Sequence, residues 1–232
     1  MICGGKLEYL EIGKELACFL CNKEEMGYVF CPKGHYICDN CHGETEFERI
    51  LKLSLSVKST NPIINAETML KRVSLPMLGC EHAWVATGAF LAAVKNTGTI
   101  EVTEEQIREA MKRTKRQAIG AYCGLTGVCG ITPAIGASFS VLLGATCPKD
   151  HETATTMFVV GKIVTAIANE TGPCCCKNFL RTSLSLASKL AKEYLNVKLS
   201  NDRKVLCRDS HRHPHGCRES KCSYYVKNKG SR

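Results

Sequence analysis

The sequence predicts a mainly α-helical chain: a helical core domain, a small zinc ribbon or knuckle before it, and a Cys/His-rich tail behind it. Three observations carry this prediction. Cysteines at metal-ligand spacing crowd the first 43 residues. Helix caps and amphipathic periods follow one another from Glu44 onward. Past residue 45 no run alternates as a strand would, except the short Val197-Lys198-Leu199, which is open to that reading. The boundaries are set at 1–43 for the knuckle, 44–200 for the all-α core and 201–232 for a basic tail.

The knuckle contains Cys18-x2-Cys21, Cys31-x3-His35 and Cys38-x2-Cys41. Sixteen residues separate the two C-x2-C pairs, which is zinc-ribbon spacing. Each such turn offers two thiolates to one ion, and four ligands close a structural zinc site. The simplest pairing joins Cys18, Cys21, Cys38 and Cys41 and leaves Cys31, His35 and Cys3 for a second, incomplete site. The alternative joins Cys31, His35, Cys38 and Cys41, and spacing does not choose between them. A segment this short needs metal to fold, with some β-ribbon inside it.

The helical core then reads in order. Glu46–Leu55 is a first short helix. Asn61-Pro62 is an N-cap with proline at the first helical position, opening a helix to about Arg72. Pro76 and Gly79 break the chain. An apolar helix runs from about Ala83 to Lys95 and stops near Gly98. Thr103-Glu104-Glu105-Gln106 is a capping box at the start of an amphipathic helix to about Gln117. A glycine-rich turn follows, from Cys123 to Gly130. Thr132-Pro133 opens a helix to about Gly144. Thr153–Glu170 is helical and ends at Gly172-Pro173. A long amphipathic helix runs from Cys176 or Lys177 to Asn196.

Composition limits the function. The chain has 232 residues, 44% of them hydrophobic and only 6% aromatic, enough for a real core. Sixteen are cysteines. The start, Met1-Ile2-Cys3-Gly4-Gly5, has neither the basic nor the apolar region of a secretory signal. A cytoplasmic protein with reduced thiols is therefore expected, and metal, cluster or redox chemistry explains the cysteines better than disulfides. The most apolar run, Ile131–Cys147, carries Pro133, Gly136, Ser138, Ser140 and Gly144. That suits a buried helix, so no membrane span is expected. The net charge of +9 fits a solvated surface, or an anionic partner such as RNA or a phosphorylated substrate. Two basic clusters, Lys112–Arg116 and the tail Arg208–Arg232, lack the interleaved aromatics that stack bases. Signatures of ATP, dinucleotide, zinc-protease and serine-hydrolase chemistry are absent.

Three further constellations point to chemistry. Cys80 with His82, Cys123 with Cys129, and Cys174-Cys175-Cys176 each stand before a predicted helix. A helix N-terminus lowers a thiol's pKa and donates N–H groups to a thiolate or an anion. Gly124, Gly127 and Gly130 would let backbone approach such a group. If the three starts converge they could hold an iron–sulfur cluster or a catalytic zinc. A dithiol pair, Cys123 with Cys129 or two of Cys174–Cys176, is the alternative. Each cysteine taken alone also reads as a small buried residue at a tight packing, and His82 as a satisfied core histidine. In the tail, Cys207, Cys217 and Cys222 are the first choice for another metal site. A fourth ligand would come from elsewhere, and His211, His213 and His215 also read as nothing more than a polar, basic loop.

At Cys31-Pro-Lys-Gly-His35-Tyr-Ile-Cys38-Asp-Asn-Cys41-His42, Ser74-Leu-Pro76-Met77 and Glu81-His82 the chain resembles a family of cysteine-rich prokaryotic proteins. That family is common in anaerobic archaea and bacteria and is classed as a domain of unknown function. Cys123-Gly124, Gly127-x-Cys129-Gly130, Gly144-Ala-Thr146 and Gly172-Pro173-x-Cys175-Cys176-Lys177 extend the resemblance over nearly the whole length. It implies an undefined metal-associated role, and in some members an association with S-adenosylmethionine-dependent methyltransferases. A looser similarity of architecture runs to iron–sulfur-dependent serine dehydratases and cysteine desulfidases, with no residue carried over.

The leading expectation is a metal-binding protein with structural zinc in the knuckle and an internal cysteine site. That site, an iron–sulfur cluster or reactive thiolates, would serve lyase, sulfur-transfer or redox chemistry. Cys123, Cys129, Cys175 and Cys176 would touch the reacting centre, with Cys80 and Cys174 beside them. His82 or Glu81 would be acid or base, and Lys177 would hold an anionic small-molecule substrate. The competing expectation is a zinc-stabilised module that binds RNA or a partner enzyme such as a methyltransferase. The oligomeric state is open.

Overall fold

The structure is a computed structural model. It describes residues 5–19, 23–73, 75–170, 172–202 and 205–226, the side chains of residues 40–45 excepted. The chain divides into two compact units, residues 1–49 and 50–232.

The first unit is built on a β-hairpin. Strand β1 (Glu8–Ala17) pairs antiparallel with β2 (Glu24–Phe30), with Glu8 opposite Phe30 and Ala17 opposite Glu24. The register shifts between Tyr9 and Lys14, where the longer strand bulges. A very small core of Cys18, Tyr36 and Cys38 is packed by Leu16, Phe30 and Ile37. Tyr36 donates its hydroxyl to Glu25 Oε1 at 2.9 Å. Among the described residues so little apolar burial leaves the unit short of stabilising area. Helix α1 (Asp39–Ser56) begins in this unit and ends in the next, starting seven residues before the expected Glu46.

Among the described residues the second unit contains seven further α-helices. These are α2 (Pro62–Leu70), α3 (Glu81–Thr97), α4 (Glu104–Gln117), α5 (Tyr122–Thr126), α6 (Ile131–Leu143), α7 (Asp150–Ala168) and α8 (Cys176–Leu195). Asn61 caps α2 by accepting from the N–H groups of Ile63 and Ile64 at 3.0 and 3.3 Å. The capping box of α4 is complete, with Gln106 N–H donating to Thr103 Oγ1 and Thr103 N–H to Gln106 Oε1. The short α5 lies inside the glycine-rich turn and carries no apolar period that would reveal it. Val197 to Leu199 is not a strand. Val197 and Leu199 turn inward and Lys198 outward, but among the described residues no strand stands beside them to pair with.

Helix α3 is the axis of this unit. It packs against α2, α4, α6 and α8 and buries every residue from His82 to Val94. Ala83, Ala86, Gly88, Ala89, Ala92 and Ala93 keep it thin, and Phe90 stacks on Phe139 of α6 at 5.3 Å. Inside this core the buried hydroxyls of Thr87 and Thr114 satisfy each other at 2.7 Å, joining α3 to α4. One buried ion pair ties α8 to α2. Arg181, its side chain only 3% exposed, reaches Glu67 through Nε at 2.7 Å and Nη2 at 3.2 Å. The last described residues, 205–226, belong to the same unit, with two 3-10 turns at Ser210–Arg212 and Glu219–Lys221. Among the described residues no helix is long and apolar enough to cross a membrane.

Two substitutions test this packing. A Cβ on Gly88 would lie 1.8 Å from Ser54 Oγ and 2.8 Å from Ser54 Cβ, both in the buried seam between α1 and α3. Gly88→Ala should lower the free energy of unfolding by about 1–3 kcal/mol in a urea titration. Glu67→Ala would strand the buried Arg181 guanidinium and should cost about 3–5 kcal/mol, with Glu67→Gln costing less.

Candidate metal centres

The described N-terminal candidate ligands fall at the ends of the hairpin. Cys18 follows β1 and is fully buried, as is Cys38, whose N–H donates to Cys18 Sγ at 3.3 Å. This contact brings together the first cysteine of each C-x2-C pair. Cys31 and His35 close a tight turn, with Cys31 N–H donating to His35 O at 2.9 Å and Gly34 N–H to Cys31 O at 2.9 Å. Gly34 sits at φ +86, where a side chain would be strained. The His35 ring packs edge-on against Phe19 at 5.1 Å, and its buried Nδ1 has no hydrogen-bond partner. Cys3, Cys21 and the Cys41 side chain lie outside the described residues.

In the second unit the three predicted helix starts meet. Cys80 is the residue before α3, Cys129 lies two residues before α6, and Cys176 opens α8. Cys123 on α5 joins them. All six pairs among Cys80, Cys123, Cys129 and Cys176 are within electrostatic reach. Backbone donors aim at the sulfurs, Gly79 N–H at Cys176 Sγ over 3.4 Å and Ile131 N–H at Cys129. Cys174 stands at the rim, exposed, with its thiol hydrogen-bonded to Cys123.

Cys175 also neighbours Cys176 but has further thiol neighbours elsewhere. Its backbone is extended, φ −137 and ψ 103, so successive side chains of the Cys174–Cys176 run point to opposite sides. Cys175 therefore faces away, toward Cys207 and Cys222 of the tail. The triple cysteine serves two clusters, a division that sequence spacing alone does not reveal.

The electrostatics differ from the sequence expectation. Burial, reinforced by neighbouring thiols, pushes Cys80 and Cys129 up to about 11 and Cys176 up to about 12. The helix N-termini do not make these free thiols acidic. For fully buried His82, burial lowers the pKa to about 4, so its imidazole is neutral at pH 7. Its Nδ1 bonds Gly79 O at 3.0 Å, its buried Nε2 lacks a partner, and its charged neighbours are Lys177, Arg181 and Asp209. Lys177 is not at the mouth of the thiol group. It is 8% exposed and ion-paired with Asp209 at 2.7 Å. Glu81 is nearer the thiols, adding to the upward push on Cys80, and its Oε2 is buried without a hydrogen-bond partner.

Gly130 is close to Ala118, where an added Cβ would come within 2.9 Å of the Ala118 Cβ. Open space surrounds Gly124 and Gly127, so neither brings backbone against another group. On α4, Arg113 is held by Glu109 at 2.9 Å and Ser140 at 3.0 Å, which removes one cation from the basic cluster. Residues the spacing gave no hint of are Asn178, Arg218 and Glu170. They matter only because the tail folds back over α8.

Among the described residues no three His, Cys, Asp or Glu side chains already form a group that could hold a metal ion. Two properties fit a soft metal: sulfur is the only donor type in the four-thiol group, and backbone N–H groups already point at two of the sulfurs.

No curated protein and no solved structure matches this chain. A family model, described as a family of unknown function (DUF5714), matches residues 50–225, the helical unit with both cysteine clusters. The chain belongs to that family.

Proposed function

We propose that this is a metal-binding protein whose helical unit holds a soft-metal centre, an iron–sulfur cluster, on Cys80, Cys123, Cys129 and Cys176. The observation that carries the reading is the mutual proximity of these four thiols, drawn from four separate segments to one end of α3, α6 and α8. Such a cluster, when bound, supplies one-electron chemistry. Four cysteine ligands leave no open position for Lewis-acid catalysis. Redox chemistry therefore fits better than the lyase reading. The helix starts and the Gly79 and Ile131 N–H groups favour negative charge on the sulfurs. Cys174, exposed and touching Cys123, is the thiol left outside the shell to meet a substrate or partner. The neutral, enclosed His82 is a positioning residue: it holds the carbonyl of Gly79, the same residue whose N–H donates to Cys176.

The N-terminal unit is proposed as a structural zinc knuckle. Cys18 and Cys38 share one ion with Cys21 and Cys41, and Cys31 with His35 stands ready for a second. The small core and the unpartnered His35 Nδ1 support this.

Protein purified without oxygen should contain iron and acid-labile sulfide and show a broad visible absorption. Cys129→Ser and Cys176→Ser should each lose at least about half of the iron while far-ultraviolet circular dichroism stays helical; full iron in both variants sinks the proposal. Cys18→Ser or Cys38→Ser should lose zinc and open residues 5–38 to protease, with the α2–α8 unit still unfolding cooperatively. Unchanged zinc and unchanged cleavage would refute the structural knuckle.

A further inference from the structure

The tail cysteines and Cys175 surround a second, separate cavity. It is largely closed off, has a volume of about 20 Å³, and has Cys175, Cys207, Cys217 and Cys222 among its lining residues. One water-sized sphere needs roughly 10–15 Å³, so the space suits a single ion rather than a substrate or a multi-iron cluster. We infer that Cys175, Cys207, Cys217 and Cys222 form a tetrahedral zinc site that staples the tail onto the start of α8.

The surroundings are those of a thiolate site. Asn178 Nδ2 donates to Cys222 Sγ at 3.3 Å, and Glu219 N–H donates to Cys217 Sγ at 3.4 Å. The Asn178 N–H bonds Cys175. Two buried guanidiniums stand beside the thiols, Arg181 by Cys207 and Arg218 by Cys175, each also facing a carboxylate, Glu67 at 2.7 Å and Glu170 at 3.6 Å. Arg218 Nε and Asn178 Oδ1 are buried without hydrogen-bond partners.

His213 also lines the cavity and is the obvious rival ligand. Both its nitrogens are already engaged. Nε2 donates to Cys174 O at 3.0 Å, and Nδ1 accepts from His215 N–H at 3.3 Å. The fourth ligand is therefore Cys175, not an imidazole. Three ligands come from one sixteen-residue stretch, 207–222, and the fourth from the helix start. The chain closes this loop through Cys207 N–H to Tyr224 O at 2.6 Å and Tyr225 N–H to Cys222 O at 3.1 Å. Because Cys175 lies between Cys174 and Cys176, the ion would also fix the backbone that presents those two thiols to the other cluster.

The test uses the full chain and zinc alone as the probe. Thiols are alkylated before and after zinc is removed by chelator, and each site is read by mass spectrometry, with exposed Cys147 as the unprotected control. Cys175, Cys207, Cys217 and Cys222 should become reactive together on zinc removal, by tenfold or more, while Cys147 does not change. If chelation that removes all zinc leaves their reactivity unchanged, the site does not exist. In addition, Cys217→Ser and Cys175→Ser should each contain one zinc fewer per chain, whereas His213→Ala and Cys129→Ser keep it. Loss of that zinc in His213→Ala with retention in Cys175→Ser overturns the ligand set. Iron and sulfide, measured in the same samples, report on the other cluster independently.

Discussion

The thinness of α3 is the constraint on which the helical unit depends. A helix buried from His82 to Val94 must meet neighbours on every side, and bulky residues all round would hold those neighbours apart. Alanine at five positions and glycine at a sixth let α2, α4, α6 and α8 close around it. At Gly88 the tolerance is gone, since Ser54 and Met69 fill the space that a methyl group would need. Once the neighbours are seated, the starts of α3, α6 and α8 fall at one end. The cysteines at those starts are brought together by core packing. No loop has to reach across to gather them.

The Cys174–Cys176 run divides its thiols between two neighbourhoods. An extended residue at the N-cap of α8 alternates side chains, and the helix beginning at the next residue holds the alternation rigid. One side faces the convergent helix starts. The other faces the tail, which Arg218 ties down by donating to the Pro173 carbonyl and by stacking over Phe179 at 5.5 Å. Lys177, one residue further on, is consumed by Asp209 in the same docking. The lysine that sequence reasoning assigned to a substrate anion therefore holds the protein's own tail.

Much of this fold was legible in the sequence because its elements carry local signals. Asn61-Pro62, the Thr103–Gln106 box, Gly98 and Gly144 mark helix ends through backbone chemistry that acts within a few residues. The hairpin was legible only as a ribbon inside a Cys-rich segment, and α5 not at all, since five residues carry no period. Candidate ligands were visible one by one, but their partition was not. Spacing groups neighbours in sequence, which placed Cys175 with Cys176 and apart from the tail thiols Cys207 and Cys222 that it neighbours in the fold. Partition depends on the backbone angle at Cys175 and on where residues 205–226 dock. Both are tertiary properties.

The acidity of the thiols shows which of two opposing effects prevails. A helix N-terminus favours a thiolate by about 0.3–1 kcal/mol at an exposed position and at most about 2 kcal/mol when partly buried. For buried Cys129 the pKa rises to about 11, which corresponds to about 3 kcal/mol against the charged form. Desolvation wins even with the Ile131 N–H already pointing at the sulfur. Crowding adds to it, because each thiolate would repel the other three, and Cys80 the Glu81 carboxylate as well. A lone reactive cysteine is built the opposite way, with one sulfur, a cation and open access. Four mutually repelling sulfurs, two of them with backbone donors aimed at them, form an arrangement that a positive ion at their centre would relieve. As free thiols, Cys80, Cys129 and Cys176 are therefore poor nucleophiles. Cys174 is exposed at the rim, but burial and its contact with Cys123 push its pKa up as well.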